Sequence, residues 1–495
     1  MENINLVSNM ADNINTMRQK VRNSSDFVAR EVAIKDCKIT VLVTEGQISS
    51  GLVNDMIIRP IIEYSQDSKP ALLPENLFEY IKNDSLIGLE MSEVATLDDV
   101  FTLMMSGFAV ILIDGVCKGI AIGAQGFAFR SVGEPASEIN IKGSREGFTE
   151  PVRLNLSMIR RRIKSPELTF EMMKVGKKSK TDICLVYLID TVDEKILQNV
   201  RKKLSRAKLD IVLDSGYLIP FLEGKPLSIF SNVGTTERPD TLCAKVNEGR
   251  IGILVDGTPF ALIVPFLWSE IFQTVDDYSH RPYYATFIRV IKYIAFFATI
   301  LLPGVYVGVS LFTPELFPQE LLYNIASAQE VTPFPLMIEA FGIHLVFELM
   351  REAGLRLPRQ VGHAVSIVGA LVIGTAAVTS GFIGAPMLMI LAITGISSFV
   401  IPAIYEPIAI LRFVFIILGG TMGLYGIMLG VCILCANITK LNSFGVPYTA
   451  PISPFSFNAM RDVFYRASWT TLSKMTAKIQ SMNGISLDEK DGDLY

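Results

Sequence analysis

The stretch VTPFPLMIEAFGIHLVFELMREAGLRLPR, residues 331–359, lies between hydrophobic segments yet carries prolines and charges. Pro333 and Pro335 lack a backbone N–H, so a helix is interrupted just before an apolar run that bears Glu339, His344 and Glu348. A chain that breaks inside a bilayer must bury its freed carbonyls in protein or line water with them. Ionisable groups at that depth are costly and face a bundle interior or an aqueous cavity. Pro333, Pro335, Glu339, His344 and Glu348 are therefore the pore or gating candidates. Glu348 with Arg351, and Glu352 with Arg356, also stand three and four residues apart and read equally as ion pairs on an interfacial helix. Arg351, Glu352, Arg356 and Arg359 are accordingly assigned structural pairing or subunit contact. Glu339 has only His344 as a cation nearby in sequence, which makes it the leading functional acid.

Outward from this segment the chain is strongly apolar. Half of it is hydrophobic and its mean hydropathy is +0.40, so part of it sits in lipid. Residues 288–312 form a run long enough for the ~20 residues that cross a bilayer, with Pro303 as an expected kink. Arg289 and Lys292 mark its cytoplasmic end. Residues 361–383, 385–405 and 408–438 read as further spans. Gly362, Ser366, Gly369, Gly374 and Ala377 in the first of these, and Gly419, Gly420, Gly423, Gly426 and Gly430 in the last, let helix backbones approach closely. Arg351, Arg356 and Arg359 favour the cytoplasm, as do Lys440, Arg461, Arg466 and Lys474 beyond the last span. Both preferences are met if one segment is re-entrant, so four full spans plus a re-entrant broken helix are expected within 281–440, followed by a cytoplasmic tail, 441–495.

The opening residues are polar and show no hydrophobic signal core, so the N-terminal region is expected to be cytoplasmic. Residues 1–31 read as a polar arm. Two α/β modules follow, 32–164 and 165–280, each with short β-branched runs and an Asp-Gly turn signal, Asp114-Gly115 and Asp256-Gly257. Thr191 to Glu194 reads as a capping box for a helix through Arg206. The junction is expected at 164–180, where proline, glycine and like charge combine. Arg160, Arg161, Arg162 and Lys164, with Lys177, Lys178 and Lys180, read as a solvated face or a contact for lipid headgroups. In SEINIKGSREGFTE, residues 137–150, Glu138, Lys142, Arg145 and Glu146 surround Gly143 and Gly147, the pattern of an interdomain loop or partner contact.

Several functions are disfavoured. A net charge of -4 gives no reason to expect nucleic acid. Six scattered cysteines and three histidines offer no metal framework, and Cys432-x-x-Cys435 lies in an apolar run without another soft ligand. No nucleophile with a paired base and no phosphate loop is present, so neither enzyme nor cofactor is expected. The expected fold is an α/β two-module soluble N-terminal region followed by an all-α polytopic membrane domain with a broken or re-entrant helix.

The strings TERPDTL (236–242), DGTPFALIVP (256–265), FELMREAGLRLP (347–358), SIVGALVIGTAAV (366–378) and SFGVPY (443–448), together with SEINIKGSREGFTE, resemble the A subunit of GerA-type spore germination receptors. The likeness runs over residues 26–466. It implies a nutrient receptor of the spore inner membrane, built from this A subunit, a transporter-like B subunit holding the nutrient and a C lipoprotein. It further implies that A subunits oligomerise through the membrane domain into a ligand-gated ion channel. Related A-type proteins act as accessory germination channels. Thr375 stands where family members usually carry glutamine. A secondary transporter, suggested by a broken helix with a midplane acid, and a membrane-anchored signalling scaffold are the alternatives.

Overall fold

The computed structural model describes residues 4–472 apart from 36, 67–71, 86–90, 125, 127–132, 224–227, 357–373 and 457–458. Two five-stranded antiparallel sheets form the N-terminal half. The first contains β1 (Phe27–Ile34), β2 (Cys37–Thr44), β3 (Met91–Val94), β4 (Phe108–Ile113) and β5 (Gly119–Gly123), in the order β1-β2-β4-β5-β3. The second contains β6 (Leu168–Val175), β7 (Thr181–Leu188), β8 (Gly234–Thr236), β9 (Ile251–Val255) and β10 (Ala261–Val264), in the order β6-β7-β9-β10-β8. The central strands are apolar on both faces because helices cover both. On the first sheet, α1 (Met10–Lys20) and α2 (Leu97–Met104) cover one side and residues 53–64 and 72–81 the other. On the second, α3 (Val152–Arg162) faces α4 (Glu194–Arg206) across the sheet, and α5 (Pro239–Asn247) lies beside α3. Asp193, rather than Thr191, is the N-cap of α4, accepting from the Lys195 N–H at 2.8 Å.

The two modules are copies of one unit. Both Asp-Gly turns place their glycine at positive φ, +92° for Gly115 and +94° for Gly257. Asp114 accepts from the Met10 N–H at the start of α1 (3.2 Å), and Asp256 accepts from the Val152 N–H at the start of α3 (3.0 Å). Gly115 N–H donates to the Ser8 carbonyl and Gly257 N–H to that of Glu150. Buried Asn13 closes a ring with the Val7 backbone, as buried Asn155 does with Thr149. Each copy thus seats its first helix on its hairpin through the same capping device.

Four expectations change here. The segment read as a polar arm is a structural layer, since Leu6, Met10, Ile14, Met17 and Val21 are buried against the first sheet. The junction does not fall at 164–180, because β6 occupies that stretch and α3 belongs to the second module's core. The basic cluster divides: Arg160 is buried against Asp26 at 2.8 Å and Arg161 and Arg162 grip Glu146, each at 2.5 Å, while Lys164, Lys177, Lys178 and Lys180 are exposed. The stretch read as a C-terminal tail begins with a hairpin, β11 (Asn442–Ser443) and β12 (Val446–Pro447), and Phe444, Val446 and Ala450 complete the core around α4.

The helical half comprises α6 (Pro282–Phe312), α7 (Gln319–Val331), α8 (Leu336–Arg356), α9 (Ala385–Phe399) and α10 (Tyr405–Lys440). Among the described residues, α6 and the 402–440 segment are long and apolar enough to cross a membrane, and the bent pair α7–α8 is a third if taken as one span. That is fewer than the four full spans expected. α9 has 15 residues, about 22 Å at 1.5 Å per residue against a core of roughly 30 Å. The span expected at 361–383 lies largely outside the described residues. α6 begins at one side of the second module, and α10 ends in the hairpin plugged into that same module. Both flanks therefore share one side of the membrane, and the chain between them crosses an even number of times. α10 is interrupted at Gly423 (φ +61°, ψ −149°), a conformation that suits glycine alone.

Candidate functional site

The helix break falls where the prolines place it. α7 ends at Val331, α8 starts at Leu336, and the two axes differ by 80°. The Pro335 carbonyl accepts from the N–H groups of Ile338 (2.8 Å) and Glu339 (3.0 Å), so it opens the first turn of α8. Glu339 is buried in that turn, and its Oε1 accepts from the Gly384 N–H at 2.8 Å. Gly384 is the N-cap of α9. A carboxylate is favoured there because unpaired N–H groups and the helix dipole converge on it. Its Oε2 has no partner among the described residues. His344 does not pair with Glu339: it is buried, with Nδ1 2.8 Å from the Ala340 carbonyl and Nε2 3.5 Å from Thr394 Oγ1.

Glu348 is tied to another helix as well as its own. It pairs with Arg351 (3.1 Å), accepts from Tyr405 OH (2.7 Å) and meets Arg412 Nη1 (3.2 Å). The Arg351 guanidinium lies 3.6 Å from the Tyr405 ring centroid, a close cation–π stack. Sequence reasoning missed Tyr405 and Arg412. The signal was present, because Arg412 is the one charged residue in the run 408–438 and an intramembrane charge calls for a partner. Glu352 and Arg356 form an exposed pair at 2.7 Å on α8. Arg359 lies outside the described residues.

Arg289 and Lys292 do more than mark the base of α6. Arg289 is fully buried between Asp277 (2.8 Å) and Asp462 (2.9 Å), while Lys292 reaches Asp277 (3.5 Å) and Thr274 Oγ1 (3.0 Å). Tyr278 OH also donates to Asp462 at 2.7 Å. The segment after the last span is thereby bolted to the root of the first.

The loop bearing Glu138, Lys142, Arg145 and Glu146 is a strap between the modules. Ala136 N–H donates to Glu237 (2.6 Å), Ile141 and Lys142 N–H groups donate to Asp276 (3.2 and 3.1 Å), and Arg238 donates to the Ser144 carbonyl (2.7 Å). Arg145 pairs with Glu134 at 3.1 Å, on the surface. Glu138 accepts from Thr236 Oγ1 at 2.6 Å. Burial pushes its carboxyl up to about 7; Glu237 and Asp240 add to the rise, while the Thr236 hydrogen bond and Arg238 oppose it. Because that value lies above the ordinary 4.5, the attached strap holds a proton that the released strap gives up. Attachment is strongest below about pH 4.5 and weakens as pH rises through about 7. Hydrogen exchange of residues 134–147, corrected for intrinsic rate, should show protection falling between about pH 5 and pH 8 in the native chain and staying flat in Glu138→Gln. A pH-independent native strap would refute the coupling.

Among the described residues, no group of three or more His, Cys, Asp or Glu could hold a metal ion.

A family model described as Bacillus/Clostridium GerA spore germination protein matches residues 15–477. Spore germination protein KA of Bacillus subtilis (strain 168) is 38% identical over 465 residues, which cover 93% of this chain and 85% of that protein. The uncharacterized membrane protein YfkQ of the same organism is 38% identical over 480 residues, 96% of this chain and 92% of that one. The crystal structure of the N-terminal domain of the A subunit of the Bacillus megaterium spore germinant receptor GerK3 is 28% identical and corresponds to 54% of this chain and 99% of that domain, with a TM-score of 0.42.

Proposed function

The chain belongs to the GerA spore germination protein family, and from that premise we propose that it is the A-type membrane subunit of a germinant receptor, several copies of which form a nutrient-gated ion channel. Its partners on this reading are further copies of itself, a transporter-like B subunit that holds the nutrient, a C lipoprotein and membrane lipid. It acts without a cofactor, without nucleic acid and without catalysis. The two α/β modules lie in the cytoplasm and the helices in the inner membrane of the spore.

The observation that carries the reading is the 80° bend that sets Glu339, with one unpartnered carboxylate oxygen, at the N-terminus of α9. An acid at that position attracts cations, and Pro333 and Pro335 supply a hinge about which α8 swings. The Glu348–Arg412 pair holds α8 against α10 in the closed arrangement. A unit charge acting on a cation at 4 Å is worth about 4 kcal/mol at an effective dielectric of 20. Glu339→Gln should therefore slow nutrient-triggered ion release from spores by about tenfold or more, equivalent to roughly 1.4 kcal/mol. Ion release at normal rate and selectivity in Glu339→Gln and in Pro335→Ala would mean that the conducting path runs elsewhere.

A further inference from the structure

The strap between the modules ends at the root of the first span, and its apolar side chains point outward. Asp276, which binds the backbone of Ile141 and Lys142, precedes Asp277, which binds Arg289 and Lys292. The short helix Val275–Ser279 thus lies alongside the third turn of α6, nearer the bilayer than the start of that helix. Beyond Lys292, residues 293–312 span about 30 Å at 1.5 Å per residue, the thickness of the hydrocarbon core. The turns before residue 293 consequently lie at headgroup depth, and the strap tip is fixed level with them.

What the strap presents there suits a lipid surface. Ile139 and Ile141 are 76% and 82% exposed, while Asn140 between them turns inward with a buried amide nitrogen. The alternation is held in place, since backbone groups on either side are bonded to Glu237, Arg238 and Asp276. Two isoleucines on a pinned loop are costly to leave in water. Tyr283, Tyr284 and Phe287 are exposed on the first turns of α6, where aromatic rings gather at membrane interfaces. Lys142 adds an exposed cation beside the isoleucines.

We propose that the tip of the strap, Ile139 to Lys142, docks into the headgroup zone of the membrane that α6 enters, so that the linker between the two modules is a lipid-contacting element. The proposal rests on the depth of α6 and is independent of any conduction through the chain. Its consequence is that bilayer composition acts on the module junction directly, through a loop that is also bonded to Thr236, Glu237, Arg238, Arg161 and Arg162.

The test uses the full chain in lipid nanodiscs containing phosphatidylglycerol, with Cys37, Cys117, Cys432 and Cys435 changed to serine. Ile141→Cys carries an environment-sensitive fluorophore, and Leu73→Cys, exposed on the first module, serves as the reference. The Ile141 label is expected to emit to the blue of the Leu73 label and to be quenched at least twofold more by lipids bearing a nitroxide at the headgroup. Emission like that of Leu73, unquenched, would overturn the proposal in favour of a solvated loop. Blue-shifted emission without lipid quenching would overturn it in favour of a protein partner, such as a second copy of the chain. The label at Ile139→Cys repeats the reading from the neighbouring outward position.

Discussion

Glu348→Ala is expected to destabilise the helical half by about 3–5 kcal/mol, the cost of leaving a buried charge without its counter-charge. Arg412 is fully buried, Glu348 is the acid that meets it, and its Nε and Nη2 already lack partners among the described residues. Water cannot reach the guanidinium to compensate, so removing the carboxylate leaves the charge without a counter-ion unless α8 shifts against α10. Tyr405 loses its acceptor at the same time, a further loss of about 1 kcal/mol. The double replacement Glu348→Leu with Arg412→Met removes both charges and should return most of the loss, since an apolar pair of similar volume is often as stable as the ion pair it replaces. Apparent unfolding midpoints of the detergent-extracted chain give the order: native and double variant together, Glu348→Ala far below. A Glu348→Ala midpoint equal to the native one would show that the clasp carries no strain-free energy of its own.

That clasp marks the boundary of what the sequence could yield. The break before α8 was legible because a missing N–H at Pro333 and Pro335 acts locally. The partner of Glu339 was not, because Gly384 stands 45 residues downstream and offers only a backbone N–H, which no composition rule flags. Arg412 falls between these cases: the rule that singled out Glu339 applies to it equally, but its pairing with Glu348 across 64 residues is a matter of packing. The α/β modules were legible from period and from Asp-Gly. Their duplication was not, since what repeats is four polar residues, Asn13 with Asn155 on the first helices and Asp114 with Asp256 in the turns, set among otherwise different sequence. The stretch after α10 misled because SFGVPY has neither strand nor helix period. Its burial is decided by a gap in another module's core, which Phe444 and Val446 fill. At α1, Ile14, Met17 and Val21 stand three and four residues apart, but only the sheet face beneath them decides that those residues are covered.

The frame that positions the clasp yields the second large effect. α6 and α10 touch backbone to backbone, and a methyl group built on Gly419 would overlap the Gly304 carbonyl oxygen and stand 2.9 Å from the Gly304 carbonyl carbon. Neither atom belongs to a side chain that can turn away, so the helices must part. At Gly420 the nearest atoms all belong to the Met337 side chain, whose outer part can turn away, and Gly342, in the second turn of α8, has nothing within 4 Å. One chemical change therefore has opposite expected signs. Gly342→Ala should stabilise by about 0.5–1 kcal/mol, because alanine loses less backbone freedom in a helix. Gly419→Ala gains the same propensity but forces apart a close-packed membrane interface, where overpacking costs about 1–3 kcal/mol and where packing replaces the hydrophobic drive between helices. Gly420→Ala should fall between them. Parting α6 from α10 also moves Gly423 away from Gly308 and carries Arg412 off Glu348, so Gly419→Ala should lower the unfolding midpoint and loosen the α8 clasp together. If Gly419→Ala proves no less stable than Gly342→Ala, the two long helices do not meet along their glycines, and neither α8 nor the acid at its start is held where the packing of α6 against α10 puts them.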